Sequence, residues 1–198
     1  MLNLKNKRIS IVGGGEVAYR KALTLLEYCP DIRVISTFFL DKFNELSDKL
    51  ELINEPYRDE LIKDSFLVIA ATSSKEVNGK IAQYCRDNKI LVNLADNPDA
   101  SDFIVPSSFK RGDLVISVST SGKSPSLAAK IKREIEKQYG DEYAKYIEVL
   151  GDIRDILLKR CPDNKLRSKI LKELIYLSPD ELIKRRAEYE NCSWIKGE

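Results

Sequence analysis

Residues 9–29 read ISIVGGGEVAYRKALTLLEYC: a β-branched apolar run, three consecutive glycines, then an amphipathic stretch. The apolar run at 8–12 predicts a buried strand, and Val17, Ala22, Leu23 and Leu26 recur at helical spacing over 16–28. Between them, Gly13-Gly14-Gly15-Glu16-Val17-Ala18 fits G-x-G-x-x-G/A with Ala18 in the third place. The chemistry of a diphosphate asks for these residues. Gly13 permits a sharp turn, Gly15 lets the backbone approach a pyrophosphate, and a small third residue lets the helix pack on the strand. The helix amino terminus adds unpaired N–H groups and the positive end of a dipole. Strand, glycines and helix in one unit predict a dinucleotide site; the alternative is a glycine-rich turn without a ligand.

One usual element of such sites is missing. The end of the second strand normally carries Asp or Glu for the ribose hydroxyls, and here that place holds Ser36, Thr37 and Phe38. Thr37 or backbone groups are the substitutes at hand. No arginine follows immediately to receive a 2′-phosphate, so NAD is expected over NADP.

Outward from this unit the pattern continues as strands and helices in alternation. Strands are expected at 32–36, 50–53, 66–72 and 89–96, and helices at 38–50, near 60–63 and at 74–88. That alternation predicts a parallel sheet covered on both faces. After Pro98 it breaks. FIVPSSFKRGDLVISVST gives two extended runs about a Lys110-Arg111-Gly112-Asp113 turn, an expected antiparallel pair. A helix follows with Ser124 as N-cap, Pro125 at its first position and Gly140 past its end. Everything from Asp141 on reads as helical, with Ser178-Pro179-Asp180-Glu181 as a capping box.

Composition narrows the function. The chain has 198 residues, 43% hydrophobic and 32% charged, with net charge +2. The charge divides as −1 up to Asp113 and +3 beyond, too mild a split to suggest nucleic acid. Histidine is absent, which excludes imidazole ligands and imidazole bases, so acid–base work falls to Asp, Glu, Lys, Tyr or Cys. Cys29, Cys85, Cys161 and Cys192 are scattered without a C-x-x-C pair, fitting a reduced, cytoplasmic chain. Neither signal peptide nor membrane span is expected.

A second dense region covers residues 92–126. Asp96 follows a buried strand, which puts it at the carboxyl edge of the sheet, where open α/β sheets bind ligands. A carboxylate there, partly desolvated, serves as proton acceptor or metal ligand; the plain alternative is an Asx-turn before Asn97-Pro98. Ser119-Thr120-Ser121-Gly122-Lys123-Ser124 offers hydroxyls and one ammonium beside a helix amino terminus, which suits an anion or is an ordinary capped turn. Lys130, Lys132, Arg133 and Lys137 extend a basic face along that helix, read as an anion site or as a solvated surface.

Together, VGGGEVAYRKALTLL (12–26), VIAATSSKEVN (68–78), NLADNPDASDFIVPS (93–107) and VSTSGKSPSLA (118–128) resemble the precorrin-2 dehydrogenase and sirohydrochlorin ferrochelatase family. The resemblance implies an α/β chain with a Rossmann-like NAD-binding domain over 1–113, a dimerisation region over 114–144 and a C-terminal helical domain over 145–198. It implies a homodimer that oxidises precorrin-2 to sirohydrochlorin in siroheme biosynthesis, with NAD accepting the hydride, and it leaves open the insertion of iron. It places the key aspartate at Asp96 and nucleotide contacts at Glu16, Val17, Thr37 and Phe38, beside Gly13, Gly14 and Gly15. Thr72, in the second matching segment, is a further candidate contact. A substrate with eight carboxylate arms calls for cations and helix amino termini, for which Thr120, Ser121, Gly122, Lys123 and Ser124 are the candidates. No resident metal, nucleic acid or membrane is expected. The non-enzymatic alternative is an NAD-sensing regulatory module.

Overall fold

The structure, a computed structural model, describes residues 2–191 and divides after Val105 into two compact units. Cys192 and the end of the expected helical domain, 192–198, lie outside the described residues.

The first unit is a five-stranded parallel sheet in the order β3-β2-β1-β4-β5. Its strands are β1 (Ile9–Val12), β2 (Ile32–Ile35), β3 (Glu51–Ile53), β4 (Leu67–Ala70) and β5 (Leu91–Leu94), with α1 (Glu16–Leu26) and α2 (Lys75–Asp87) between them. Alternate residues face opposite sides of a strand, and the core divides accordingly. Ile9, Ile11, Val34 and Ile69 pack with Ala18 and Ala22 of α1, whereas Val12, Ile35, Val68, Ala70 and Val92 pack with Ile81 and Cys85 of α2. The two helices therefore cover opposite faces. The chain leaves the centre through β2 and β3, then returns to β4 beside β1. The reversal opens a crevice at the carboxyl ends of β1 and β4.

Two expected helices differ, and the one near 60–63 is a single 3₁₀ turn, Asp59–Leu61. The helix over 38–50 is a short 3₁₀ turn, Asp41–Leu46. Leu40, Phe43 and Leu46 recur every third residue, the 3₁₀ period, and all three reach the core. Around Phe43, the rings of Tyr19 and Phe39 stand edge-on at 5.3 Å, holding this turn against α1.

β5 is an edge strand, and the chain that follows it covers its open side. The Val92 N–H donates to Asp102 Oδ2 at 2.8 Å and the Asp102 N–H donates to the Val92 carbonyl at 2.8 Å. Leu94 N–H donates to Ser101 Oγ at 2.9 Å, and Asn93 Nδ2 donates to the Phe103 carbonyl at 2.8 Å. Residues 101–103 thus replace a sixth strand and satisfy groups that would invite edge-to-edge pairing.

The second unit begins with an antiparallel hairpin of β6 (Ser107–Arg111) and β7 (Leu114–Val118), followed by α3 (Pro125–Glu136), α4 (Glu142–Arg160), α5 (Asn164–Leu174) and α6 (Pro179–Glu190). The division therefore falls before the hairpin, where a break after 113 was expected. β6 and β7 form a two-stranded sheet of their own. Phe109 is buried under Arg111 and Lys132, and Arg111 pairs with Glu136 and Asp141. Val149, Ile153, Leu157, Leu174, Leu182 and Tyr189 form a separate core for α4–α6. The capping box of Ser178 and Glu181 is present at the start of α6. Among the described residues, no helix is long and apolar enough to cross a membrane.

Candidate functional site

A cleft of about 710 Å³ lies over the carboxyl ends of the central strands, lined by the three glycines, Glu16, Val17, Ser36–Phe38, Glu55–Tyr57 and Ala71–Ser74. The glycines divide into two kinds. Gly13 has φ +126°, and a Cβ there would run into the Ala71 carbonyl oxygen; at Gly14 it would meet the Phe38 carbonyl oxygen. Both are required by the fold: Gly13 N–H donates to the Ile35 carbonyl at 2.8 Å, and Gly14 accepts from Leu40 N–H at 3.0 Å, which pins the turn to the end of β2. Gly15 differs. Its φ is −88° and nothing stands within 4 Å of where its Cβ would be. Its bareness serves no packing purpose inside the chain; it leaves open space in the cleft.

Gly15 is also the N-cap of α1, and no side chain caps that end. Ser74 caps α2 through Val77 N–H at 3.3 Å, and Ser124 caps α3 through Leu127 N–H at 3.3 Å. The first turn of α1 is left to offer its N–H groups outward, the arrangement that binds a phosphate. Ala18 is fully buried, as the third place of the motif demands. Glu16 sits in the first turn with its carboxylate held by Lys42 at 3.2 Å. These residues fit the diphosphate of a dinucleotide.

At the β2 end, Ser36 is committed to its own turn, its hydroxyl donating to the Phe38 carbonyl at 2.6 Å. Thr37 and Phe38 are exposed in the cleft, Phe38 at 65%. The carboxylate missing after β2 has a counterpart after β3: Glu55 lines the same cleft and is paired with Arg58. Tyr57 lies beside it, its hydroxyl donating to Asp59 at 2.6 Å; burial, then Asp59, push its pKa up, so it stays protonated. Glu55 and Tyr57 were not expected from the sequence. Their position just past the third strand was the available signal, and β3 is only three residues long.

Thr72 lines the cleft, but its hydroxyl serves the chain: it donates to Asn78 Oδ1 at 2.7 Å, and Asn78 Nδ2 returns a bond to the Thr72 carbonyl at 3.2 Å. Asn78 is 1% exposed. This pair locks the end of β4 to the first turn of α2, and it leaves Thr72 able to offer the cleft little beyond backbone and methyl.

Asp96 does not line the glycine cleft. It borders a second cavity of about 300 Å³ with Lys75, Asn78, Gly79, Ala82, Arg86, Leu94, Asn97 and Ala100. α2 stands between the two: Val77 and Lys80 line the first, Lys75, Gly79 and Arg86 the second. The partial desolvation expected of Asp96 is not found, because the turn after β5 projects into solvent and leaves the residue exposed. Nor is Asp96 the turn-former. Asn97 fills that role, its side chain accepting from Ala100 N–H at 3.3 Å. Among the described residues the Asp96 carboxylate has no hydrogen-bond or ion-pair partner and is free to act on a ligand.

In the second unit, Thr120–Ser124 form a tight turn between β7 and α3, with Ser121 and Gly122 at φ 52° and 80°. Thr120 Oγ1 accepts from Ser124 N–H at 2.9 Å and Ser124 caps the helix, so two of the candidate hydroxyls hold the turn together. Ser121 and Lys123 are exposed. The basic face of α3 is partly neutralised by its own glutamates, Lys130 by Glu134 and Lys132 by Glu136. Among the described residues, no group of three or more Cys, Asp or Glu is placed to hold a metal ion.

A family profile described as putative NAD(P)-binding matches residues 1–107, and one described as the sirohaem biosynthesis protein central region matches residues 111–138. The chain is 36% identical over 181 residues to a precorrin-2 dehydrogenase of Methanosarcina barkeri, across 86% of this chain and 79% of that one. It belongs to the precorrin-2 dehydrogenase family. A siroheme synthase of Yersinia enterocolitica is 32% identical over 153 residues; the match takes in 76% of this chain and 32% of that longer protein. Among solved structures, SirC, a precorrin-2 dehydrogenase, superposes with a TM-score of 0.81 at 26% identity, covering 96% of this chain and 98% of that one. These relatives are named as enzymes, which gives the NAD-sensing alternative no support.

Proposed function

We propose that the chain oxidises precorrin-2 to sirohydrochlorin on the route to siroheme, with NAD as the acceptor. The carrying observation is Gly15: its bare backbone at an uncapped helix end opens cleft space that none of the described residues fills, in a member of this family. Gly15, Glu16 and Val17 would hold the diphosphate through the backbone N–H groups of the uncapped α1 terminus. Thr37, Phe38 and Glu55 line the same cleft and would hold the nucleoside part, with Glu55, just past β3, standing in for the carboxylate that usually follows β2. When bound, NAD supplies the capacity to take up a hydride. Oxidation also releases a proton, and the exposed, unpaired carboxylate of Asp96 receives it. Thr120–Ser124, with the ammonium of Lys123, contribute to holding the acidic arms of the substrate.

The chain works as a homodimer in the cytoplasm. In favour of the first, the two-stranded sheet of β6 and β7 has both outer edges unpaired among the described residues. In favour of the second, Cys29, Cys85 and Cys161 are free and buried, and burial pushes the Cys85 thiol up to about 12, far from a reactive thiolate.

Purified protein mixed with NAD and enzymatically generated precorrin-2 should yield the sirohydrochlorin spectrum together with NADH. An unchanged spectrum, with NAD shown to bind, contradicts the assignment. Metal insertion is separated by supplying sirohydrochlorin with Fe(II), where the same carboxylate would receive the pyrrole protons.

A further inference from the structure

The cavity that Asp96 borders has a lining with its own logic. Lys75, Gly79, Ala82 and Arg86 follow one another at i, i+4, i+7 and i+11, so they form one stripe along α2. The two ends of the stripe carry cations, and the middle carries almost no side chain. By helix rise the end residues stand about 16 Å apart. Lys80, on the other side of the helix, is neutralised by Glu76 at 2.7 Å. Neither Lys75 nor Arg86 has a carboxylate partner among the described residues.

Gly79 is the second anomaly. It sits inside a thirteen-residue helix, where glycine is a poor choice against alanine. Among the described residues no neighbour requires it, because nothing lies within 4 Å of where its Cβ would be. In this it is like Gly15 and unlike Gly13 and Gly14: an absent side chain that leaves space in a cavity and relieves no clash. At about 300 Å³ the cavity lies at the lower limit for a drug-sized ligand. It admits an edge of a tetrapyrrole with its arms, not the whole macrocycle.

We infer that this cavity is a subsite for the carboxylate-bearing edge of the substrate. Lys75 and Arg86 pair with two peripheral carboxylates, and Gly79 and Ala82 form the floor against which the ring edge lies. The assignment rests on the proposed substrate class and deepens it. It also gives Asp96 a reason to stand apart from the glycine cleft: the carboxylate meets the macrocycle from the α2 side, and the arms that neutralise the two cations leave Asp96 free for the proton.

Two variants of the full-length protein test this, read by two assays. One is steady-state oxidation of precorrin-2. The other is direct binding of uroporphyrin III, a stable tetrapyrrole with eight carboxylates, followed by fluorescence. Lys75→Gln with Arg86→Gln should raise the KM for precorrin-2 and weaken uroporphyrin III binding about tenfold or more, with the NAD affinity unchanged. Gly79→Ala should move stability and function in opposite directions, raising the thermal midpoint by about 2–4 °C while weakening uroporphyrin III binding. Wild-type KM and uroporphyrin III affinity in both variants would overturn the subsite. A wild-type protein that binds uroporphyrin III through these residues yet oxidises no precorrin-2 would overturn the reaction and leave the subsite standing.

Discussion

The turn between β1 and α1 and the segment from Asn93 to Phe103 are equally dense in unusual residues, and both lie at the carboxyl edge of the sheet. They handle their polar groups in opposite ways. The first strips away side chains and leaves backbone donors of the α1 first turn unused. The second spends its side chains on its own backbone: Ser101, Asp102 and Asn93 close the edge of β5, and Asn97 closes the turn that follows the strand. Motif density thus has two causes, a ligand in one case and an exposed sheet edge in the other. Within NLADNPDASDF, Asp96 is the acidic residue of the turn left over for chemistry that also borders a cavity.

That contrast can be broken in order of expected effect. Gly14→Ala should destabilise the first unit by about 3 kcal/mol or more, because the new Cβ meets the backbone carbonyl of Phe38, which cannot swing away as a side chain would. Urea unfolding measures it. Asp102→Ala should cost about 1–3 kcal/mol in the same assay by leaving Val92 N–H without its acceptor. Asp99→Ala, exposed and nearby, should stay within about 0.5 kcal/mol. Gly15→Ala sharpens the other side: little change in unfolding midpoint, but NAD affinity reduced about tenfold or more by calorimetric titration, since the added methyl enters the space meant for the diphosphate. If Gly15→Ala unfolds the protein instead, all three glycines are structural and the contrast fails.

Another small effect belongs to the amino edge of the sheet. Arg8 ties Asp31 to Asp64, and Arg33 ties Asp64 to Glu51. Burial acts to raise the Asp64 pKa, but the hydrogen bond from Arg8 and the charge of Arg33 outweigh it and hold the carboxyl below its usual value. The sign follows: its contribution is complete above the unfolded-state pKa and is lost as pH falls through the lower folded-state value. Asp64→Asn should flatten the acid limb of a stability–pH curve by less than about 1 kcal/mol, because the pair is half exposed and screened.

Much of this was legible in the sequence, and particular residues explain where legibility stopped. Buried parallel strands such as FLVIAAT announce themselves by composition, and Ser124 and Ser178 announce helix starts because a hydroxyl before a helix has few other uses. The 3₁₀ turn at Asp41–Leu46 read as a helix because a three-residue and a 3.6-residue period coincide over so short a span. The glycine motif was visible, but not its division of labour, since whether a missing Cβ relieves a clash or opens a cleft depends on Ala71 and Phe38, which lie past the ends of β4 and β2. Glu55 and the Lys75–Arg86 stripe escaped for the same reason: a carboxylate beyond a weak strand and two cations on a helix gain meaning only from the cavities they border.

Asp96→Asn tests the whole account most directly, because it removes the proton acceptor while keeping size and polarity at an exposed position where, among the described residues, its carboxylate has no partner. Turnover of precorrin-2 should fall about 100-fold or more, with NAD and uroporphyrin III bound as tightly as by the wild type. Undiminished turnover in this variant would contradict it.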